Sequence, residues 1–188
     1  CTATMLCVFS QFLGDFDNVY EFGCGTGRYL YRLAQLYPEK SLVGTDWTST
    51  SAEILNLMHT SLGMKVRGMR FDMLEPDAAL KLPPRSAVYT VGAMEQLGRN
   101  FEPFLKYVLS NKPGIVIHHE PVAELYNKES LFDYVARLYH LHRGYLNGYL
   151  DTLRQMEERR EIRILFARNM GYGDPFNDGS SLIVWQLV

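Results

Sequence analysis

Seven residues constrain this chain most: Glu21-Phe22-Gly23-Cys24-Gly25-Thr26-Gly27, with glycine at every second position from 23 to 27. A short apolar run, Asn18 to Phe22, leads into them. Tyr29, Leu30, Leu33, Leu36 and Tyr37 follow at helical spacing until Pro38, so Gly27 to Tyr37 reads as a helix. A strand that turns through glycines directly into a helix opens a βα unit. Glycine at that turn permits positive φ and brings the backbone close to a ligand.

The rest of the sequence repeats the alternation. Strands are predicted at Ser41 to Thr45, Met64 to Phe71, Ser86 to Val91 and Gly114 to His118. Helices are predicted at Thr48 to Leu62, Glu75 to Leu82 (closed by Pro83-Pro84) and Arg99 to Leu109. Leu125 to Arg160 reads as mostly helical, interrupted near Gly144 and Gly148. Glu161 to Phe166 and Ser181 to Leu187 are the last two strands, joined by a glycine-rich loop with no helix between them. They therefore form a hairpin, which inserts one antiparallel strand. The expected architecture is α/β: a three-layer αβα sandwich around a mostly parallel seven-stranded sheet whose last strand is antiparallel. The 188 residues carry no internal repeat or linker, so one domain over 1–188 is expected.

Composition excludes several function classes. Nineteen basic and 21 acidic residues leave a net charge of −2, without the basic stripe of a nucleic-acid binder. Three cysteines, Cys1, Cys7 and Cys24, form no CxxC pair, which argues against a disulfide framework or zinc site and fits a reducing, cytoplasmic setting. No apolar run approaches the roughly 20 residues of a membrane helix, and no signal peptide is visible. The chain begins at Cys1 rather than Met, which fits a sequence trimmed at its start.

The glycine spacing discriminates between ligands. The dinucleotide fingerprint GxGxxG would require glycine at position 28, which is Arg28, and no GKS or GKT follows for a phosphate-binding loop. What remains is an acidic residue, a spacer and GxGxG. This segment resembles the first motif of class I S-adenosylmethionine-dependent methyltransferases. The resemblance implies that Glu21, Gly23, Gly25 and Gly27 shape the site for the methionine part of S-adenosyl-L-methionine, with Cys24 and Thr26 contributing backbone contacts. It also implies that Asp46, at the end of the second strand, accepts hydrogen bonds from the ribose diol, which suits an acceptor-only carboxylate. Asp72 and Met73, after the third strand, would meet the adenine amino group and ring, and Trp47 would line the same pocket or pack in the core.

The acceptor should sit above the ends of strands four to six. Glu95 and Gln96 follow the fourth strand, and His118-His119-Glu120 close the fifth. Neighbours on a strand face opposite ways. His119, taken as nearer the strand end, is the candidate general base, with Glu120 to orient it or the substrate and Glu95 to face the cofactor or acceptor. A metal ion is not expected, because no further ligands converge in the sequence. Residues 124–160, rich in aromatics (Tyr126, Phe132, Tyr134, Tyr139, Tyr145, Tyr149) and carrying His140, His142 and Arg143, read as a helical insertion or cover over the acceptor site. Tyr172, Asp174, Phe176, Asn177 and Asp178 are candidates for the pocket rim. The resulting expectation is methyl transfer to a small-molecule hydroxyl, with no nucleic-acid or membrane partner. A protein or other N-methyltransferase, a non-catalytic cofactor-binding subunit and a nucleotide oxidoreductase are the alternatives, the last disfavoured by Arg28.

Overall fold

In a computed structural model, residues 2–127, 129–171 and 180–188 are described. The elements run α1 (Thr2–Phe12), β1 (Asn18–Phe22), α2 (Arg28–Leu36), β2 (Ser41–Asp46), α3 (Ser49–Leu62), β3 (Val66–Arg70), β4 (Ala87–Val91), a 3-10 turn (Met94–Leu97), α4 (Glu102–Asn111), β5 (Ile115–Glu120), a second 3-10 turn (Ala123–Leu125), α5 (Leu131–His142), α6 (Tyr149–Glu158), β6 (Ile162–Asn169) and β7 (Ser181–Leu187). Seven strands form one sheet in the order β3-β2-β1-β4-β5-β7-β6. Among the described strands only β7 runs antiparallel, against both β5 and β6, as the sequence leads one to expect.

The five inner strands are buried on both faces, as a sheet covered by helices must be, while the edge strands β3 and β6 are mostly open. On one face Val19, Tyr89 and Ile117 pack against Met5 and Phe9 of α1, Leu13 just after it, Leu30 and Leu33 of α2 and Leu55 of α3. On the other, Tyr20, Phe22, Val116 and Trp185 pack against Phe104 and Val108 of α4 and Tyr149, Leu153 and Met156 of α6. Of the expected helical cover, α6 is thus part of the core layer. Helix α5 lies outside it and leaves Leu131, Val135 and Leu138 exposed.

Three expectations change. The helix expected at 75–82 does not form: Asp77 captures the Ala79 amide with its own carboxylate (2.8 Å), a local turn that competes with helix, and Tyr107 holds the Leu80 carbonyl (3.0 Å). Strand β5 continues past His118 to Glu120, because β7 pairs with it as far as Ser181. Helix α1, for which no element was expected, buries Met5, Val8 and Phe9 beneath the sheet.

Candidate functional site

Strand order reverses between β1 and β4, and a cleft of about 580 Å³ opens there, at the carboxyl ends of the strands. That is where open α/β sheets hold ligands, and the size suits a small molecule. Among the described residues four loops line it: Gly23 to Thr26 with Arg28 and Tyr29 after β1, Asp46 and Trp47 after β2, Phe71 to Leu74 after β3, and Val91 to Ala93 with Gln96 and Leu97 after β4.

The floor is held from below. Gly23 and Cys24 both donate to the Thr45 carbonyl, at 2.8 and 2.9 Å. The Gly25 amide donates to Oδ2 of Asp46 (2.9 Å), while Oδ1 accepts from the Thr48 amide and hydroxyl at 3.1 and 2.9 Å. A carboxylate offers about four lone-pair positions, so three protein donors leave room for a ligand hydroxyl. The glycines serve different neighbours. A Cβ on Gly23 would stand 2.3 Å from the Ala93 Cβ, one on Gly27 would meet Leu55 of α3 at 2.2 Å, and one on Gly25 would meet nothing within 4 Å. Gly27 does not line the cleft; its bareness lets α2 and α3 close up.

Glu21 lies at the cleft's base, 2% exposed, with Oε2 accepting from the Tyr89 hydroxyl at 2.8 Å. The β1–β4 register sets the two residues directly opposite each other. Burial pushes the Glu21 carboxyl up to about 8; the Tyr89 hydrogen bond opposes this and Asp46 adds to it. At the far end, Asp72 accepts from the Leu74 amide (2.8 Å) and is exposed, as is the Trp47 indole on the cleft's lip.

The titratable cluster of β5 divides between the two faces of the sheet. His118 is fully sandwiched: Nδ1 meets the Thr90 hydroxyl at 2.9 Å and Nε2 the Tyr149 hydroxyl at 2.7 Å. Burial drives its pKa down to about 3. Glu120 faces the same side. Its Oε1 accepts from the Ala93 amide (3.1 Å) and its Oε2 from the Glu95 amide (3.2 Å), so it clamps the turn that forms the cleft wall. Burial raises Glu120 to about 7, against its hydrogen bonds to Thr90 and Ala93. His119 projects to the other face, 3% exposed, and burial lowers it to about 4. Its Nε2 has no hydrogen-bond partner among the described residues. No three His, Cys, Asp or Glu side chains converge as a metal site among the described residues, and none of their helices is long and apolar enough to cross a membrane.

No family model and no curated protein matches this chain. Solved structures do. The methyltransferase domain of bacterial CtHen1-C superposes with a TM-score of 0.70 at 16% identity, over 99% of this chain and 96% of that one. Magnesium protoporphyrin IX methyltransferase from Synechocystis PCC 6803, with bound SAH, gives 0.68 at 13% identity, over 100% and 83%. Geranyl diphosphate C-methyltransferase from Streptomyces coelicolor A3(2), in complex with S-adenosyl-L-homocysteine, gives 0.66 at 12% identity, over 99% and 80%. This chain has the class I methyltransferase fold.

Within the methyltransferase fold the two sets of candidate residues fare differently. Glu21, Gly23, Cys24, Gly25, Asp46, Trp47, Asp72 and Met73 come together around one cleft, with Gly27 just behind it. His119, Glu95 and Glu120 do not line it. His119 was the candidate base because an ordinary imidazole titrates near neutrality; burial removes that property, and the strand's alternation carries its ring to the α1 face. Glu120 acts on the backbone of the cleft wall. Glu95 is half-buried on the turn beside Gln96, which does reach the cleft. The expected rim residues Tyr172, Asp174, Phe176, Asn177 and Asp178 lie outside the described residues. Tyr89, Arg28 and Tyr29 were not expected at the site. Tyr89 is an apolar-looking strand residue, and only register reveals that it holds Glu21.

Proposed function

We propose that this protein transfers the methyl group of S-adenosyl-L-methionine to a small-molecule acceptor. One observation carries the reading: Glu21, Asp46 and Asp72, at the ends of three strands, face one cleft whose floor is a glycine turn. Glu21 would sit near the ligand's cationic methionine end, where positive charge favours its ionised form. Asp46 would take a ribose hydroxyl at its remaining acceptor position, and Asp72, Met73 and Trp47 the adenine.

Transfer from a sulfonium is a displacement in which positioning supplies most of the assistance. Tyr29 and Gln96, both on the cleft, are the polar groups that would orient an acceptor. A hydroxyl is the favoured acceptor group. A net charge of −2 argues against nucleic acid. Calorimetric titration with S-adenosylhomocysteine and, separately, NAD tests the cofactor. The expected result is saturable binding of the first alone, weakened at least tenfold by Asp46→Ala. Binding of NAD instead, or an unaffected Asp46→Ala, would sink the assignment.

A second reading, a cofactor-binding subunit that does not catalyse, draws on the acid–base candidates lying off the cleft and on the exposed apolar side of α5. It is favoured if S-adenosylhomocysteine binds but no hydroxyl or amine acceptor in a broad screen yields methylated product.

A further inference from the structure

A second concavity, of about 430 Å³, lies between the segment entering α4 and the α5–α6 connection, lined by Arg99, Arg137, Leu141, Gly144, Tyr145 and Asn147. Its walls are fixed by the backbone. The Asn147 amide donates to the Gly98 carbonyl (3.4 Å), and the Tyr145 amide to the His140 carbonyl (3.1 Å). Gly98 fits so closely against Gly144 that an added Cβ would stand 2.5 Å from the Gly144 carbonyl oxygen.

The charge there is one-sided. Neither Arg99 nor Arg137 makes a hydrogen bond or ion pair with any described residue. Arg143 lies over the Tyr145 ring, 5.4 Å from its centroid. Two guanidinium groups share this concavity with an amide and a phenol, and no carboxylate lines it among the described residues. Guanidinium groups suit planar or tetrahedral oxyanions because their forked donors match two oxygens at once.

Place gives this charge a use. Arg99 follows two residues after Leu97, which lines the main cleft, so their Cα atoms are at most about 7 Å apart. We infer that this concavity is an oxyanion subsite, which holds a phosphate, diphosphate or carboxylate group of the acceptor while its nucleophile lies in the cleft. The link to an acceptor rests on the methyl-transfer reading; the anion binding does not.

The test is titration of the whole chain with sodium pyrophosphate, inorganic phosphate and acetate, each against chloride at matched ionic strength, in wild type and in Arg99→Gln/Arg137→Gln. Both arginines reach solvent, so the double variant is expected to fold. S-adenosylhomocysteine affinity, expected within twofold of wild type, serves as the internal check. Saturable binding of a phosphate probe that weakens at least tenfold in the double variant supports the subsite and a phosphorylated acceptor; the same pattern for acetate alone supports a carboxylate. Binding no stronger than chloride, or equal in both proteins, overturns it. Failure of S-adenosylhomocysteine to bind while pyrophosphate still does would remove the cofactor assignment and leave the subsite standing.

Discussion

Replacing Gly25 with alanine separates ligand approach from folding, and Gly23→Ala is its control. Both glycines have left-handed backbone, φ +51° and +71°, where a Cβ costs roughly 1–2 kcal/mol. At Gly25 that is the whole penalty among the described residues, none of which comes within 4 Å of the new methyl. At Gly23 the methyl would stand 2.3 Å from the Ala93 Cβ, so the cleft wall must retreat by about 1 Å, and overpacking of this kind adds about 1–3 kcal/mol. In a chain this long 1 kcal/mol moves Tm by roughly 2–4 °C. Scanning calorimetry should therefore show a fall of about 2–8 °C for Gly25→Ala and about 4–20 °C for Gly23→Ala. Binding should rank the other way relative to stability. The Gly25 methyl occupies space on the cleft floor, and S-adenosylhomocysteine affinity should fall at least tenfold, or about 1.4 kcal/mol, in a protein that is still well folded. Wild-type affinity in Gly25→Ala would refute the placement of a ligand on this turn. Equal destabilisation by the two substitutions would refute the packing argument.

Glu120→Ala removes the acceptor of the Ala93 and Glu95 amides, at about 1–3 kcal/mol for each amide left unsatisfied; urea unfolding should show the loss, and an unchanged midpoint would deny the clamp. Tyr149→Phe strips His118 of its Nε2 partner and should cost about 1–3 kcal/mol, read as a lower unfolding midpoint with unchanged m-value. Glu21 and Glu120 titrate near 8 and 7 in the fold, above their ordinary 4.5, so their contribution is complete below about pH 4.5 and is lost as pH rises through 7 and 8. His118 and His119, lowered to about 3 and 4 from 6.5, contribute fully above pH 6.5 and lose it as pH falls. Stability should therefore peak in the slightly acidic range, and Glu21→Gln should flatten the alkaline limb; a Tm profile with an unchanged limb would contradict the raised Glu21 carboxyl.

Local features of the chain carry over best into the structure. The glycine turn lies between a strand and a helix, and Asp46 and Asp72 stand at strand ends, because neighbours within ten residues determine both. Helix α1 has a local signal too, in Met5, Val8, Phe9 and Leu13 at helical spacing. What escapes a one-dimensional reading is pairing across the sheet. Tyr89 finds Glu21 from 68 residues away, and Glu120 reaches back 27 residues to Ala93. The same long-range pairing displaces the base candidate. Pairing with β7 extends β5 over His119 and Glu120, and alternation then decides which side chain goes to which face. Asp77 shows the converse, a side chain that satisfies a nearby amide and so ends a helix that spacing alone would allow.

Strand β7 occupies an interior lane of the sheet although it is the last strand in the sequence. Strand β6, made earlier, has β7 as its only neighbour in the sheet. Strand β6 therefore joins the sheet through residues 181–187, which pair with it on one side and with β5 on the other. Such non-local closure is slow and leaves strand edges open to wrong partners. The chain's exposure to misassembly is therefore concentrated at one lane of the sheet, where β5 and β6 share a neighbour that each must find before it can pair with a wrong partner.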